Sequence, residues 1–303
     1  MRTRFPRTLR LLTLGVVLTL AALVVPDAST KSTDIELVRV HRAAGVDLDP
    51  EVVWILAVGS DARPGQDMTR TRGDALQLIG MNTRTGAAAA IGVPRDSWVD
   101  IPGHGHDKIN ASLYYGGPQL LGRTVGNLVG IQPDYVFVTR FKFFIAMVNS
   151  IGGIDVHNPV AFDDTYLKPE GFRSGRIHLG GYDAMAFSRI RHNLLRGDFD
   201  CSANQERVLR GIQAKVRARA GQPGFMERGV LASVKNMNTD LAPSELYRLA
   251  QGVTAIKPGK LKGCVVQGPT GNAGGASVVF ASVAQARRLG NDARRDGTLN
   301  HGC

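Results

Sequence analysis

Hydrophobic positions fall into short runs rich in β-branched residues, separated by glycines and turn residues. The run at residues 51–59 ends at a glycine and predicts a buried strand, and residues 75–81 and 87–93 predict two more. Residues 134–139 alternate and predict a fourth strand. Helices are predicted further along, at residues 142–150, 183–189, 202–220 and 244–256. This interleaving, without a strict βαβ rhythm, predicts an α/β or α+β fold with a mixed sheet flanked by helices.

The N-terminal segment has the pattern of an export signal. Arg2, Arg4, Arg7 and Arg10 precede an apolar run over residues 11–25, an arrangement that keeps the positive end inside the cell. The run is shorter than the ~20 residues of a comfortable membrane span, which leaves a cleaved signal peptide open. No clean small-x-small cleavage site follows it, so we expect a retained single-pass anchor with the rest of the chain outside the membrane.

The remaining chain is predicted to contain a stalk and one large domain. Residues 27–50 are polar, mixed in charge and without a sustained period, so they predict an extracytoplasmic stalk after the anchor at residues 1–26. The domain is expected over residues 51–303, with a C-terminal extension from about residue 240.

Composition narrows the class of protein. Hydrophobic residues make up 43% of the 303 residues, enough for a core, and three cysteines exclude a disulfide-framework mini-protein. The net charge is +11, and 28 of the 37 basic residues are arginine. Anionic partners are therefore favoured, although charge alone does not separate nucleic acid, anionic lipid and cell-wall polymer.

Charged residues follow the ends of the first three predicted strands. If these strands form an up-down-up meander, the end of the first, the start of the second and the end of the third meet at one edge. The charged residues at that edge are Asp61, Arg63, Arg70, Arg72, Asp74, Arg95 and Asp96. Carboxylates suit Mg²⁺ and guanidinium forks suit phosphate oxygens, so a cation–polyphosphate site is predicted, with solvated turn charges as the alternative.

A second basic cluster lies downstream. Arg189 and Arg191 are two residues apart and point to one face if the segment is extended. Asp198 follows, and Gln205 lies where a helix N-terminus would favour phosphate. Ser202 and Gln205 also fit a capping box, which is the structural alternative for Gln205. His104 and His106 belong to a glycine-rich segment that predicts an exposed loop, with metal contact as a lesser alternative.

These motifs carry a resemblance to a known family. Their order and spacing over about residues 50–220 resemble those of the LytR-CpsA-Psr family of cell-wall glycopolymer ligases. The matching motifs lie at residues 59–63, 72–75, 92–97, 107–112, 114–118, 151–156, 161–164, 179–192 and 197–199. The resemblance implies a central, largely antiparallel sheet flanked by helices that enclose a hydrophobic tunnel for a polyprenyl chain.

The resemblance also implies an activity. Family members transfer a glycopolymer from a polyprenyl-pyrophosphate carrier to peptidoglycan, so we expect a Mg²⁺-dependent phosphotransferase, with Mn²⁺ as an alternative cation and pyrophosphatase as a side activity. The expected partners are the carrier-linked glycopolymer, peptidoglycan and membrane lipid, without nucleic acid. Two alternatives stay open: a non-catalytic polyprenyl-phosphate or glycan-binding wall protein, and a transcriptional attenuator, which the export signal disfavours.

Individual roles follow from the resemblance, position by position. Asp61 and Asp74 match the metal-associated aspartates, and Asp96 and Asp198 are the candidate acceptors of the hydroxyl proton. The residues implied for pyrophosphate binding are Arg63, Arg72, Arg95, Arg189, Arg191 and Gln205; Arg95, Asp96 and Asp198 form the catalytic set. Cys201 stands where the family motif has an arginine, a contact that Arg196 or Arg207 would have to replace.

An aromatic and aliphatic series is compatible with the implied tunnel. It comprises Phe137, Phe141, Phe143, Phe144, Ile145 and Val148. Core packing is the competing interpretation, because a tunnel and a core demand the same residue types.

The three cysteines predict one disulfide in an oxidising compartment. A Cys264–Cys303 bridge would hold the polar C-terminal tail to a predicted late strand at residues 264–266 and leave Cys201 free. The alternative pairs Cys201 with Cys264, and the sequence does not report the separations that decide between them.

Overall fold

The computed structural model describes residues 34–41, 51–225, 227 and 237–303, within one compact unit that spans Thr33–Cys303. Among these residues, a seven-stranded mixed sheet forms the centre of the fold. In chain order its strands are β1 (Ile35–Arg39), β2 (Val53–Ser60), β3 (Gly73–Asn82), β4 (Ala87–Gly92), β7 (Tyr135–Arg140), β12 (Met237–Thr239) and β13 (Leu261–Val265). Their order across the sheet is β12-β1-β7-β2-β3-β4-β13.

The predicted meander is confirmed by the register of the sheet. β2 pairs antiparallel with β3, and β3 pairs antiparallel with β4. β7 lies parallel to β2, and β13 lies parallel to β4, so the C-terminal region contributes an edge strand to the same sheet. The mixed sheet agrees with the predicted fold class.

Helices and small sheets surround this centre. The helices are α1 (Ala111–Val129), α2 (Phe141–Ser150), α3 (Gly181–Phe187), α4 (Asp198–Arg219), α5 (Pro243–Ala255) and α6 (Val283–Ala293). Four antiparallel strand pairs lie outside the central sheet: β5 (Trp98–Ile101) with β6 (Gly105–Lys108), β8 (Ile154–Asn158) with β11 (Gly175–Leu179), β9 (Phe162–Asp164) with β10 (Lys168–Phe172), and β14 (Thr270–Ala273) with β15 (Ala276–Val279).

One face of the central sheet is densely packed. Leu56 and Leu78, which are cross-strand partners, are fully buried in a cluster with residues of α1 and α6, including Leu121 and Leu289. On this face a Cβ on Gly80 would lie 2.5 Å from the ring of its cross-strand partner Trp54, so only glycine permits this close approach.

The other face is covered in two places and half-buried between them. Leu37 packs with residues of α5 at one side, and Gln77 contacts Ser202 of α4 at the other. In the same register lie Ala57, the partner of Gln77, and Phe137, the partner of Ala57. Both are half-buried, so a stripe of small and apolar residues runs along the middle of this face.

A second hydrophobic cluster lies beside the sheet, among α2, α3, α4 and the strand pairs β8–β11 and β9–β10. Phe162, Phe172 and Phe187 pack at centroid separations of 5.2–5.3 Å. Gly152 and Gly153, directly after α2, both adopt positive φ and end the helix. The cluster fixes the end of α3, from which the second group of arginines extends.

Three predictions about the elements are wrong. Ile35–Arg39, predicted as stalk, is a strand paired with β7 and β12, because Ile35 and Leu37 supply buried residues at period two. α1 was not predicted, since Gly116, Gly117 and Pro118 look like a break; the chain instead kinks at Gly117, where φ is 67°, and continues as helix. α4 begins at Asp198, before the predicted start at residue 202, so the capping box that was the structural alternative for Gln205 does not form.

The predicted anchor at residues 1–26 lies outside the described residues, as do parts of the predicted stalk. Within the described ranges the structure contains no helix of the length and apolar character needed to cross a membrane.

The predicted disulfide between Cys264 and Cys303 is confirmed. Their Cα atoms lie 5.3 Å apart, and 39 residues separate them in sequence. Cys264 is buried in β13, and the backbone carbonyl of Cys303 accepts a hydrogen bond from Gln285 of α6. The bridge therefore ties the C-terminus to the edge of the central sheet, and Cys201 is the free, buried thiol.

Candidate active site

The ends of β2 and β4 and the start of β3 meet at one edge of the sheet, as the meander predicts. A side-chain hydrogen bond joins Arg95, after β4, to Asp74, in β3. The side chain of Asp74 is only 7% exposed, so its charge depends on these contacts more than on water. Arg189 contacts the same carboxylate, so the first and second predicted clusters form a single charged cluster.

Arg189 bridges the two predicted metal-associated aspartates. Its Nη2 lies 3.2 Å from a carboxylate oxygen of Asp61 and 3.2 Å from one of Asp74. The guanidinium carbon also lies 4.3 Å from the centroid of Phe141, so the cation is stacked above an aromatic ring. The contact places the charged edge of the sheet next to the apolar helix α2.

Arg191 is held by the two candidate proton acceptors. Its Nη1 lies 3.3 Å from Asp96 and 3.0 Å from Asp198. Burial opposes the charge on Arg191, but the hydrogen bond and charge of Asp198, with those of Asp96, outweigh it and raise the pKa of Arg191. Ile190, between the two arginines, is buried, and the segment at residues 188–192, which we call the arginine turn, directs both arginines to the cluster.

Lys108 joins this cluster although its role was not predicted. Its Nζ lies 3.2 Å from the same carboxylate oxygen of Asp96 that Arg191 contacts. Lys108 belongs to the motif at residues 107–112, and its charge within that motif is the feature of the sequence that could have indicated a role in the site. β6 brings it to the site through pairing with β5, a tertiary contact that no local pattern announces.

Gln205 lies behind the arginines and supports the segment that carries them through side-chain hydrogen bonds. Its amide nitrogen is 3.2 Å from the Ser188 carbonyl oxygen and 3.4 Å from that of Asp74, and its oxygen accepts a hydrogen bond from Gln77. Gln205 is 7% exposed and Gln77 is 2% exposed. The pair ties α4 and the arginine turn to β3, which favours positioning of the arginines over direct ligand contact. Gln77 was not predicted.

Cys201 takes a related position. Its thiol donates to the Ser188 carbonyl at 3.2 Å, and burial raises its pKa to about 12, so it is a neutral thiol. Arg196, one candidate replacement for the missing arginine, pairs with Asp200, and the other, Arg207, donates to Asn204. Neither has a contact with the cluster among those the described residues make.

Several predicted site residues stay at the rim. Arg63 and Arg72 are exposed and make no side-chain ion pair within the part of the chain that the structure describes. Arg70 donates to the carbonyl of Tyr115 at 3.1 Å. His104 stacks on Tyr115, and His106 lies 3.9 Å from Asp100. No group of three or more metal-ligating side chains occurs in the described ranges.

The series expected to line a tunnel divides between core and site. Val148 is buried and Phe144 packs against the second cluster, in agreement with core packing. Phe141 lies under Arg189, and Phe137 belongs to the half-buried stripe. Phe143 and Ile145 are half-buried on α2. The half-buried stripe continues to Gly59 and Ala75, which are cross-strand partners at the end of β2 and the start of β3, next to the charged cluster.

The charges of the cluster balance one another. Asp61, Asp74, Asp96 and Asp198 face Arg95, Lys108, Arg189 and Arg191. A pyrophosphate bound to the guanidinium groups would free carboxylates of the cluster, and a divalent cation would restore the charge balance. Two carboxylates completed by phosphate oxygens and water is a donor set that Mg²⁺ accepts, so the residues present fit the cation.

This fold and site define a class of anion-handling α/β domain, and comparison with known proteins identifies the family. The model of the LytR_cpsA_psr family matches residues 25–295. The chain therefore belongs to the LytR_cpsA_psr family.

Curated relatives are transferases by name. A protein of Bacillus cereus named polyisoprenyl-teichoic acid–peptidoglycan teichoic acid transferase TagU is 33% identical over 199 residues, 65% of this chain and 63% of the relative. The namesake from Enterococcus faecalis is 30% identical over 71% of this chain and 70% of its own length. The match thus spans less than two thirds of the Bacillus relative.

Solved structures share the fold. TagV of B. subtilis superposes with a TM-score of 0.66 at 23% identity, over 83% of this chain and 99% of that one. The family protein YwtF (TagT), solved with bound octaprenyl pyrophosphate lipid, gives a TM-score of 0.61 at 22% identity, over 81% of this chain and 90% of that one.

Proposed function

We propose that this protein transfers a glycopolymer from a polyprenyl-pyrophosphate carrier to peptidoglycan. The observation that carries the proposal is the convergence of Arg95, Arg189 and Arg191 at one sheet edge, next to a half-buried apolar stripe. An amphipathic ligand with an anionic head and a long apolar tail fits both features. The transferase names of the curated relatives and the lipid bound to TagT support this assignment.

The anionic head would bind to the arginines. Arg189 and Arg191 come from one short segment and Arg95 follows β4, and the three guanidinium groups are linked through shared contacts with Asp74 and Asp96. Each guanidinium offers paired donors to phosphate oxygens, and partial burial strengthens that interaction. Gln205 and Gln77 keep the turn against β3, so the forks are positioned before the ligand arrives.

The tail would lie along the half-buried stripe of the sheet. Ala57, Gly59 and Ala75 present small, half-buried residues on this face of β2 and β3, with Phe137 beside Ala57 and Phe141 packed next to Gly59. Their exposure in the middle of a sheet face indicates a surface that α4 and α5 do not seal. A prenyl chain gains free energy by covering such a surface in place of water.

Asp61 and Asp74 would hold Mg²⁺ when the pyrophosphate displaces Arg189 from them. The cation would supply Lewis-acid stabilisation of charge on the phosphate oxygens, and Mn²⁺ fits the same ligands. The arginines of this chain would stabilise the remaining negative charge, so that the cation and the protein both contribute to electrostatic stabilisation.

The reaction is a displacement at the phosphorus that carries the glycan. The acceptor hydroxyl oxygen forms a bond to this phosphorus, the bond to the bridging oxygen breaks, and polyprenyl monophosphate leaves. The hydroxyl proton passes to a carboxylate, for which Asp96 is the better placed candidate, since Lys108 and Arg191 orient it; Asp198 is the alternative. With water in place of the acceptor, the same step is the pyrophosphatase side activity.

The location of the protein follows from its sequence and this chemistry. The arginine-flanked apolar run would anchor the chain in the membrane, with the described domain outside, where both the lipid carrier and peptidoglycan lie. Recovery of mature protein in the medium with an N-terminus near Ser29 would contradict the anchor.

A transfer assay tests the proposed function. The full chain is incubated with a polyprenyl-pyrophosphate-linked oligosaccharide, peptidoglycan and Mg²⁺, and release of polyprenyl monophosphate and covalent attachment of the glycan are measured together. We expect attached glycan together with at least an equal amount of polyprenyl monophosphate, any excess being the product of hydrolysis. Lipid binding without either product would instead support the non-catalytic alternative, and no lipid binding at all would overturn the assignment.

The metal assignment has its own test. Asp61→Ala and Asp74→Ala should each weaken the dependence of transfer on Mg²⁺ concentration while the fold is retained, because both residues lie at strand ends. Glu170→Gln is the matched control, because this exposed carboxylate pairs with Lys168 away from the site. An unchanged metal response in both aspartate variants would place the cation elsewhere.

A further inference from the structure

An exposed group of three rings borders the charged cluster and has no part in the function proposed above. His104 and Tyr115 stack with centroids 4.7 Å apart and planes within 6°. Tyr114 meets Tyr115 edge-on at 5.7 Å. Tyr114 is 59% exposed and Tyr115 is 38% exposed, and we call the three residues the aromatic platform.

The chain builds this platform with specific local geometry. Gly103 and Gly105 flank His104 with φ of 82° and 72°, values that favour glycine, so the turn between β5 and β6 presents the imidazole outward. Tyr114 and Tyr115 lie in the first turns of α1. A strand turn and a helix thus each contribute rings to one surface.

Polar contacts hold the platform in place. The hydroxyl of Tyr115 donates to Asp107 at 2.7 Å, and Arg70 donates to the backbone carbonyl of Tyr115 at 3.1 Å. The charge of Arg72 also acts on Tyr115, since it lowers the phenol pKa against the larger raising effect of the Asp107 hydrogen bond. The rings are therefore fixed surfaces surrounded by charged hydrogen-bonding groups.

The platform is continuous with the reaction centre. Asp107, which holds Tyr115, is followed directly by Lys108, whose Nζ lies 3.2 Å from Asp96. Asp96 in turn contacts Arg191 at 3.3 Å. Adjacent residues of β6 therefore hold the platform, through Asp107, and orient the candidate proton acceptor, through Lys108.

Stacked, solvent-facing rings with a charged rim match the surfaces of a sugar ring. The C–H face of a pyranose is apolar and packs on aromatic rings, while its hydroxyl edge accepts and donates hydrogen bonds. Neither an apolar chain nor a bare phosphate uses both features. Contiguous exposed apolar patches with a polar rim commonly mark a ligand or interaction surface.

We propose that the aromatic platform binds a sugar ring of the acceptor peptidoglycan strand, an inference that rests on the proposed function. The apolar tail of the donor belongs at the Phe141 end of the cluster, where Arg189 is stacked. In-line displacement puts the attacking hydroxyl opposite the departing lipid phosphate, which is the end where Asp96 and Lys108 lie. The platform adjoins that end, so it serves the acceptor and not the donor.

Acceptor kinetics test the proposal. The full chain is assayed with a soluble tetrasaccharide of N-acetylglucosamine and N-acetylmuramic acid as acceptor and a polyprenyl-pyrophosphate oligosaccharide as donor. Tyr114→Ala and His104→Ala should each raise the KM for the acceptor about tenfold, while the Kd for the donor, measured without acceptor, changes less than about twofold. Tyr114→Phe keeps the ring and should restore the KM.

Tyr166→Ala is the matched control, because Tyr166 is 92% exposed in a different part of the domain. Its KM and Kd should equal those of the unmodified protein. Unchanged acceptor KM in both platform variants would overturn the proposal, as would an equal weakening of donor binding. Thermal unfolding of each variant checks that the fold is retained.

A binding measurement separates this proposal from the proposed function. Saturation-transfer NMR with the tetrasaccharide alone should show contact with the unmodified protein and loss of contact in Tyr114→Ala. Absence of transfer by the unmodified protein would overturn the proposed function, and the NMR result would still decide the platform. Contact that survives in Tyr114→Ala and His104→Ala would overturn the platform even if transfer proceeds.

Discussion

The two faces of the central sheet differ in how completely they are covered. Leu56, Leu76 and Leu78 on one face are fully buried under α1 and α6. On the other face Ala57 and Phe137, in register between α4 and α5, remain half-buried. The same strands thus supply both faces, and alternation along each strand separates residues that stabilise the fold from residues available to a ligand.

The difference extends to the ends of the strands. The charged cluster forms where the half-buried face reaches the sheet edge, and Arg189 stacks there on Phe141 of α2. We therefore expect substitutions on the packed face to lower stability and substitutions on the half-buried face to lower ligand binding. The two faces can therefore be distinguished by comparing effects on stability with effects on activity and ligand binding, of which the effect at Arg189 should be the largest.

Removal of Arg189 should give the largest loss of activity. Arg189→Ala should reduce the rate of transfer by about 100-fold, as when one preorganised donor to a developing oxyanion is deleted. Arg189→Lys should recover little, because an ammonium group cannot reproduce the planar pair of donors that a guanidinium offers to phosphate oxygens. Steady-state kinetics with both variants provide the measurement.

Stability of the Arg189 variants completes that comparison. Chemical unfolding should show little change, since the side chain is 28% exposed and is not part of the packed face. Full activity of Arg189→Lys would contradict the geometric argument, and a large loss of stability would contradict the division between the faces.

Substitution on the packed face should act on stability. Leu78→Ala removes a fully buried side chain from the large cluster under α1 and should lower the free energy of unfolding by about 2–5 kcal/mol. The next residue along β3, Ile79, points to the other face and is half-buried. Ile79→Ala should cost clearly less, and urea denaturation of the pair provides the comparison; equal losses would mean that both faces are sealed.

Opening the disulfide should have an effect of intermediate size. Cys303→Ser opens the bridge to Cys264 and should lower the free energy of unfolding by about 2–4 kcal/mol, with transfer activity per folded molecule unchanged. Addition of a reductant should produce the same loss in the unmodified protein and none in the variant. Loss of activity without loss of stability would instead tie the C-terminus to the site.

The convergence of the charged residues could be predicted from the sequence better than the elements around them. The positions of Asp61, Asp74 and Arg95 followed from a meander of three adjacent strands, which the sequence pattern predicts because the connections are local. Lys108, Gln77 and the braced amide of Gln205 did not follow, since their roles depend on contacts between distant elements. The kinked α1 was hidden by a local break signal that tertiary packing overrides.

The first strand gives a similar lesson. Ile35–Arg39 is short and has polar neighbours, so its period of two is too brief to stand out from a stalk. Its place in the sheet is decided by pairing with β7 more than 95 residues later, from Ile35 with Thr139 to Arg39 with Tyr135. Prediction from local pattern is therefore strongest for adjacent strands and weakest for strands that pair across the sequence.

Filling the half-buried stripe should have a smaller and more selective effect. Ala57→Leu adds apolar volume between Gln77 and Phe137 and should weaken binding of a polyprenyl pyrophosphate about tenfold. The free energy of unfolding should change by no more than about 1 kcal/mol, because Ala57 is only half-buried. Isothermal titration with a short-chain polyprenyl pyrophosphate measures binding, and inorganic pyrophosphate, which lacks the tail, is the control ligand and should bind unchanged.

The smallest effect is expected at Cys201, where α4 closes the half-buried face behind the arginines. Burial raises the pKa of this thiol from 9.0 to about 12, so the folded protein keeps it protonated at pH 8 and a disulfide reagent should label it only after denaturation. Because the folded pKa is the higher one, the stabilising contribution is complete below pH 9 and declines as the pH rises toward 12. Between pH 8 and pH 10 the unmodified protein should therefore lose about 1 kcal/mol more stability than Cys201→Ala. Rapid labelling of the native thiol at pH 8 would mean that Cys201 is accessible to solvent in the folded protein. In that case α4 would not cover this part of the sheet face completely.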